Sequence, residues 1–261
     1  MAGEQKILIF ENGFDLSNYM LNKWIEIAQE AVRKRNRFTV ALPGGRSPIE
    51  FYSRLSAFQE FELWGRTHIF VGDEKFVSFD HESSNYKMIK TNLLDYISIP
   101  PANIHPIATG QKNVELAAEQ FKGELMQFFE FKSANAPEFD LILLGAGTDG
   151  HTASLFPDDE RIDDAGRIVL PVSLPHLKEE RITITLPVIN NACHVIFLHL
   201  GASKANIIQE IIDHKKVLPA TKVRPTHGRL LHLLDKEAAR KLSIRETCTH
   251  EGRAVVYETS F

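Results

Sequence analysis

The stretch Leu141–Pro157, Leu-Ile-Leu-Leu-Gly-Ala-Gly-Thr-Asp-Gly-His-Thr-Ala-Ser-Leu-Phe-Pro, constrains the fold of this chain more than any other. Its opening apolar run, Leu141–Leu144, suits a strand buried on both faces in a parallel sheet. Gly145, Gly147 and Gly150 follow, and they permit backbone angles and close approaches that a side chain forbids. Asp149 and His151 are set into that turn. In an open α/β sheet ligands bind just outside the carboxyl ends of the strands, so a titratable pair there is better placed for chemistry than for packing.

The same glycines spell Gly-x-Gly-x-x-Gly. As a dinucleotide signal this pattern needs a strand before it, a long crossover helix after it and an acidic residue ending the next strand. Here Pro157 limits any following helix to a short one, and a turn-rich Pro-Asp-Asp comes next. Asp149 and His151 would also crowd a pyrophosphate. NAD binding is therefore not expected.

Elsewhere apolar runs alternate with amphipathic stretches. The pattern predicts strands at Ile7–Phe10, Phe38–Leu42, His68–Gly72, Ile168–Pro171, Ile182–Leu186, His194–Leu200 and Arg229–Leu234, with Arg253–Tyr257 pairing as an edge strand. Helices are predicted at Leu16–Arg35, capped by Asp15 or Ser17, and from Pro48 through Leu55 with Ser47 as the cap. Further helices are expected at Asn85–Leu94, Val114–Phe131, Lys204–Ile212 and Lys236–Leu242. Leu116, Ala117, Phe121, Leu125, Phe128 and Phe129 form the core stripe of Val114–Phe131. No linker or internal repeat interrupts the 261 residues. The expectation is one α/β domain, mostly parallel, with helices on both faces.

Three strand ends carry candidate chemistry besides the central loop. Pro43-Gly44-Gly45-Arg46-Ser47-Pro48 joins a strand to a helix start, where backbone N–H groups attract phosphate and Arg46 adds a fork of donors. The alternative is a plain tight turn with a good cap. Asp73-Glu74-Lys75 and Gly201-Ala202-Ser203-Lys204 end two further strands. The formal net charge of −4 gives no basic field for nucleic acid. No apolar run is long enough to span a bilayer, and the amino terminus lacks a secretory apolar region. Cys193 and Cys248 show no metal spacing and fit a reducing cytosol, so a cytoplasmic protein is expected. No Gly-x-Ser-x-Gly elbow, His-Glu-x-x-His or Walker loop is present. Asp149 and His151 have no obvious third partner for a metal. A neutral imidazole at His151 could deprotonate water for attack on an activated carbonyl, with Asp149 orienting it. Ser154, three residues after His151, could be read as a nucleophile, but capping or packing is the stronger reading, and its replacement by alanine is expected to be nearly silent.

Asp149–Pro157 resembles the signature of the 6-phosphogluconolactonase family. Pro43–Pro48 resembles its Gly-Gly-Ser/Thr-Pro phosphate loop, and Gly72–Lys75 its Gly-Asp-Glu-Arg motif. Ser84-Asn85-Tyr86, Arg181-Ile182-Thr183 and Gly201–Lys204 fall in the family's order, so the resemblance runs from about Phe38 to Ala239. It implies a modified Rossmann-like, three-layer α/β/α sandwich. It implies hydrolysis of 6-phospho-D-glucono-1,5-lactone in the pentose phosphate pathway, with a sugar phosphate lactone as partner and no required cofactor or metal. It also implies His151 as general base, with Gly44, Gly45, Arg46, Ser47, Asn85, Arg181 and Lys204 holding substrate or phosphate. Asp73, Lys75 and Asp149 become further pocket residues. Two departures stand out. Lys75 occupies a position where the family usually has arginine, which keeps the charge and loses the planar fork. Leu231–Asp235 lacks a tryptophan often found before that aspartate. The related glucosamine-6-phosphate deaminases continue Asp-Gly-His with Ile-Ala-Phe-Asn-Glu-Pro, whereas Thr152–Pro157 contains no acid. Isomerising deamination is therefore the lesser expectation, and a non-catalytic sugar-phosphate-binding regulator stands behind it. The oligomeric state is left open.

Overall fold

Continuous apolar runs become interior strands here because burial on both faces removes the need for polar alternation. A computed structural model describes residues 4–130, 136–243, 249–251 and 254–260, and side chains within 5–130 and 136–243. Its elements open with β1 (Glu4–Phe10), α1 (Gly13–Arg35), β2 (Phe38–Leu42), α2 (Ile49–Ala57), β3 (Thr67–Val71), β4 (Asp73–Lys75), α3 (Asn85–Asn92), β5 (Ile104–His105) and α4 (Val114–Phe128). They continue with β6 (Leu141–Leu144), β7 (Val169–Val172), β8 (Arg181–Ile184), α5 (Leu186–Asn190), β9 (His194–His199), α6 (Ala205–Ile212), β10 (Arg229–Asp235), α7 (Lys236–Ala239), β11 (Thr249–Glu251) and β12 (Ala254–Ser260).

The strands build a nine-stranded sheet in the order β11-β12-β1-β10-β9-β6-β2-β3-β5, flanked by helices as in a modified Rossmann-like sandwich. From β1 to β5 every neighbouring pair is parallel, and β12 joins antiparallel to β1. A separate three-stranded sheet, β4-β8-β7, is antiparallel. β2 and β6 are buried at every position. The α1 face Leu16, Met20, Trp24, Ile27, Ala28 and Ala31 closes over them, and Trp24 meets the rings of Phe38, Phe51, Phe61 and Trp64. Each large side chain so buried stabilises the fold by roughly 1.5–3 kcal/mol before entropy is counted.

Several local expectations are corrected. α1 begins a turn early because Asn12, not Asp15 or Ser17, is its cap, accepting from the Asp15 N–H at 3.0 Å. α2 starts after Pro48, and Ser47 makes no capping bond. Asp73–Lys75 does more than end the preceding strand: it forms a strand of its own, because β8 supplies its partners from far along the chain. β8 ends at Ile184, since Leu186-Pro187 opens α5. Leu116 is exposed on α4, outside the stripe formed by Ala117, Phe121 and Leu125. Phe131 and Arg253 lie outside the described residues. β12 sits between β11 and β1, one place in from the edge.

Strand order reverses between β2 and β6. From β2 the chain moves outward to β3 and β5, then returns to β6 on the other side. The loops leaving these two strands diverge there and open a crevice at the carboxyl end of the sheet, the usual ligand position in such folds.

Candidate active site

The crevice is bounded by the turn after β2, the glycine loop after β6 and the Gly201–Lys204 turn after β9. The small sheet covers it from the side. They enclose a cavity of about 430 Å³.

The glycine loop is a folded device. Gly147 N–H donates to the His151 carbonyl at 2.8 Å, and Gly150 N–H to the Gly147 carbonyl at 3.1 Å. Thr152 Oγ1 donates back to the Gly145 carbonyl at 2.9 Å. Gly150 has φ 87°, open only to glycine without strain, and Ala153 holds φ 47°. A Cβ on Gly147 would fall inside the His151 imidazole, so this glycine makes room for the histidine. The imidazole Nδ1 lies 2.6 Å from Asp149 Oδ1, and the same oxygen accepts from the His151 backbone N–H at 3.2 Å. The hydrogen bond from His151 holds the Asp149 carboxyl down to about 2 against the opposing effect of partial burial. An anionic Asp149 assigns the proton of a neutral imidazole to Nδ1 and leaves Nε2 as the basic nitrogen. The His151 ring leans on Phe156, with centroids 4.6 Å apart. His151 lines the cavity and Asp149 stands behind it.

The small sheet delivers Asp73, Lys75 and Arg181 to the same cavity, with Lys75 and Arg181 as cross-strand partners. Buried Asp73 accepts from Ser154 Oγ at 2.7 Å, and the Ser154 N–H donates to Thr183 Oγ1 at 3.1 Å. Ser154 is thus a tie between the glycine loop and β4, and its loss would leave a buried carboxylate without that donor. Lys75 Nζ donates to the Ser83 carbonyl at 2.6 Å and to Asn85 Oδ1 at 3.1 Å. Asn85 Nδ2 donates to the Asp73 carbonyl at 2.7 Å. Glu74, fully buried, accepts from the N–H groups of Lys75, Asn85 and Tyr86 and from Ser84 Oγ. Burial pushes its carboxyl up, and these four donors oppose that shift.

Across the crevice, Gly44, Gly45, Arg46 and Ser47 line the cavity, with Gly45 at φ 87°. The buried Tyr52 hydroxyl donates to the Pro43 carbonyl at 2.9 Å and braces this turn from below. Gly201, at φ 85°, donates its N–H to the Asp235 carboxylate, which also caps α7 through the Ala238 N–H. Lys204 then reaches over the cavity to the Ala146 carbonyl at 2.7 Å. Burial lowers its ammonium, and Asp149 counters that. Arg181 Nε is buried without a hydrogen-bond partner, and the guanidinium stands 5.6 Å from the Phe156 centroid. The cavity therefore gathers the cations Arg46, Lys75, Arg181 and Lys204 with the carboxylate of Asp73 and the imidazole of His151, which is bonded to Asp149.

Sequence reasoning passed over Glu74 and Phe156 and gave Ser154 no partner. The only sign of the Ser154 bond was its place within the Asp-Gly-His-Thr-Ala-Ser run, since Asp73 lies in a different strand. The N–H groups of Gly147 and Gly150 are used inside the loop, which leaves them unavailable to a substrate oxygen. Among the described residues no three His, Cys, Asp or Glu side chains gather as a metal site requires.

The family model described as glucosamine-6-phosphate isomerases/6-phosphogluconolactonase matches residues 11–232. A 6-phosphogluconolactonase of Synechocystis is 39% identical over 216 residues, covering 82% of this chain and 88% of that protein. A probable 6-phosphogluconolactonase of Arabidopsis thaliana is 34% identical over 252 residues, 91% of this chain and 93% of the relative. The solved 6-phosphogluconolactonase of Trypanosoma brucei superposes with a TM-score of 0.79 at 30% identity, over 91% of this chain and 98% of the other.

Proposed function

Because the chain belongs to the glucosamine-6-phosphate isomerase/6-phosphogluconolactonase family and is an enzyme of the 6-phosphogluconolactonase type, we propose how its residues hydrolyse 6-phospho-D-glucono-1,5-lactone. His151 Nε2 takes a proton from water, and the resulting hydroxide equivalent attacks the lactone carbonyl carbon. Asp149 keeps the imidazole in the right tautomer and stabilises the imidazolium. Lys75 meets the oxyanion of the tetrahedral intermediate. Collapse breaks the bond to the ring oxygen, and protonated His151 returns its proton to that oxygen. The sum is one water consumed and one hydroxy acid formed, with no acyl-enzyme.

Gly44, Gly45, Arg46, Ser47, Arg181 and Lys204 hold the phosphate. The support is their convergence on one cavity from three separate strand ends, together with the unpartnered Arg181 Nε. Asp73 faces the sugar hydroxyls from β4. The reading takes the chain as a single catalytic unit in the cytoplasm. Supporting it, β1 and β12 pair side by side in one sheet, and no described helix is long and apolar enough to cross a membrane.

The single observation that carries the mechanism is the 2.6 Å contact between His151 Nδ1 and Asp149 at the mouth of the cavity. The test is direct: purified protein is given fresh 6-phosphogluconolactone and, separately, glucosamine 6-phosphate. Acid release from the first and no ammonia from the second is expected, and the reverse pattern overturns the reading. Dialysis against chelator is expected to leave the rate unchanged.

A further inference from the structure

Asn85 lines the cavity, yet both ends of its carboxamide bond to the protein. Nδ2 donates to the Asp73 carbonyl at 2.7 Å, and Oδ1 accepts from Lys75 Nζ at 3.1 Å. The residue is 5% exposed. A Cβ on Gly44 would fall inside the carboxamide, so the turn after β2 packs its bare backbone against it. We propose that Asn85 is a positioning residue for Lys75 and not a ligand of the substrate phosphate. Resting on the reaction proposed above, it aims the ammonium at the carbonyl oxygen of the lactone.

A free lysine is a poor directional donor, because its ammonium rotates on a flexible four-carbon stem. Here two of its three N–H bonds are committed, one to the Ser83 carbonyl at 2.6 Å and one to Asn85 Oδ1. Fixing two directions of a tetrahedral group fixes the third, which is left for the cavity that Lys75 lines. The Asn85 acceptor is itself held. Asn85 is the first residue of α3, and its N–H is clamped by Glu74 Oε1 at 2.7 Å. Glu74 Oε2 accepts from the Tyr86 N–H at 2.7 Å and from Ser84 Oγ at 3.0 Å. The buried carboxylate therefore locks the start of α3 to β4 and sets the seat of the ammonium. This arrangement supplies the direction that the fork of an arginine would carry in its own plane.

Asn85→Ala should lower kcat up to about 10²-fold, the cost of a misplaced donor, while KM for the lactone moves less than about threefold. In a Lys75→Met background the same substitution should change kcat by less than about twofold, because the group it aims is already gone. Asn85→Asp keeps an acceptor for Lys75 and should retain more kcat than Asn85→Ala, which also serves where the alanine variant folds poorly. A phosphate ligand would behave otherwise: KM would rise with kcat kept, the effect would persist in Lys75→Met, and Asn85→Asp would bind worst of all. Any of those results overturns the positioning role. Absence of lactonase activity in the unaltered protein would instead overturn the proposed reaction.

Discussion

Two histidines with polar partners belong to the same sheet, His151 in the loop after β6 and His199 on β9 beside His232 on β10. His151 bonds to Asp149 at 2.6 Å, with 30% of its side chain and 48% of the aspartate's exposed. His199 Nε2 stands 3.2 Å from His232 Nδ1, and both rings are buried and stacked with Phe197. The first imidazole has a carboxylate bonded to its Nδ1 and a wide cavity beside it. Among the described residues no carboxylate bonds to the second pair, and its rings are closed off from solvent, His232 meeting only the wall of a small separate cavity. Burial holds His232 down to about 4, and burial, His232 and Lys204 together hold His199 well below the ordinary range. What separates the two histidine settings is thus the partner and the access to the cavity, not the position on the sheet. Lys204 stands between the two sites, countered by Asp149 on one side and depressing His199 on the other.

The strongest way to break this contrast is His151→Ala. Loss of a general base should lower kcat by roughly 10²–10⁴-fold with little change in KM, measured by acid release under saturating lactone. A near-normal rate would remove His151 from the chemistry. Its pH profile is part of the same test. The hydrogen bond from His151 holds the Asp149 carboxyl down to about 2, and a base that must be neutral to accept a proton predicts a rate that falls as pH drops.

Asp149→Asn should come next. It keeps the shape and removes the charge-assisted bond, a loss of about 1.5–3 kcal/mol, or roughly 10–10²-fold in kcat. An unchanged rate would mean that the orientation of His151 comes from Phe156 and the loop alone.

Lys204→Ala should raise KM about tenfold with a smaller fall in kcat, because the phosphate is remote from the bond that breaks. A kcat effect larger than the KM effect would show instead that its tie to the Ala146 carbonyl is what sets the glycine loop.

The smallest effect on turnover is expected from His199→Phe with His232→Phe, since replacing both members of a buried polar pair by apolar groups of similar shape is often close to neutral. The readout that moves is the pH dependence of Tm. Unfolded histidines titrate near ~6.5, so between there and about 4 the unfolded chain binds more protons and stability falls as pH drops. The double variant should flatten that slope. A slope unchanged from wild type would show that the core pair does not titrate as its burial requires.

What could be read from the residues was what depends on neighbours in the chain. Leu141–Leu144 has to be interior because nothing polar interrupts it. Gly150 has to follow Asp149 because the turn needs a positive φ. Asp149 and His151 come within reach because a single residue, Gly150, separates them. Errors arose where a distant segment decided the outcome. Asp73–Lys75 read as the charged end of a strand and becomes a strand of its own once β8 pairs with it, and Ser154 read as a capping or packing residue with no sign of its partner, Asp73 of β4. Leu116 matched the helical period of α4 and still faces solvent, because periodicity states which residues share a face but not how wide the covering neighbour is.

The sequence by itself determined the class of fold, through runs too apolar for anything but an interior sheet, and the placing of a histidine in a glycine turn at a strand end. Those are local properties, settled by sterics and by the cost of exposing apolar surface. Only the tertiary structure decided which charges share a cavity, which of them are spoken for, and which histidines are buried. Hydrogen bonds and desolvation act over a few ångströms of space, and β4 and β8 come within that range only when the chain has folded.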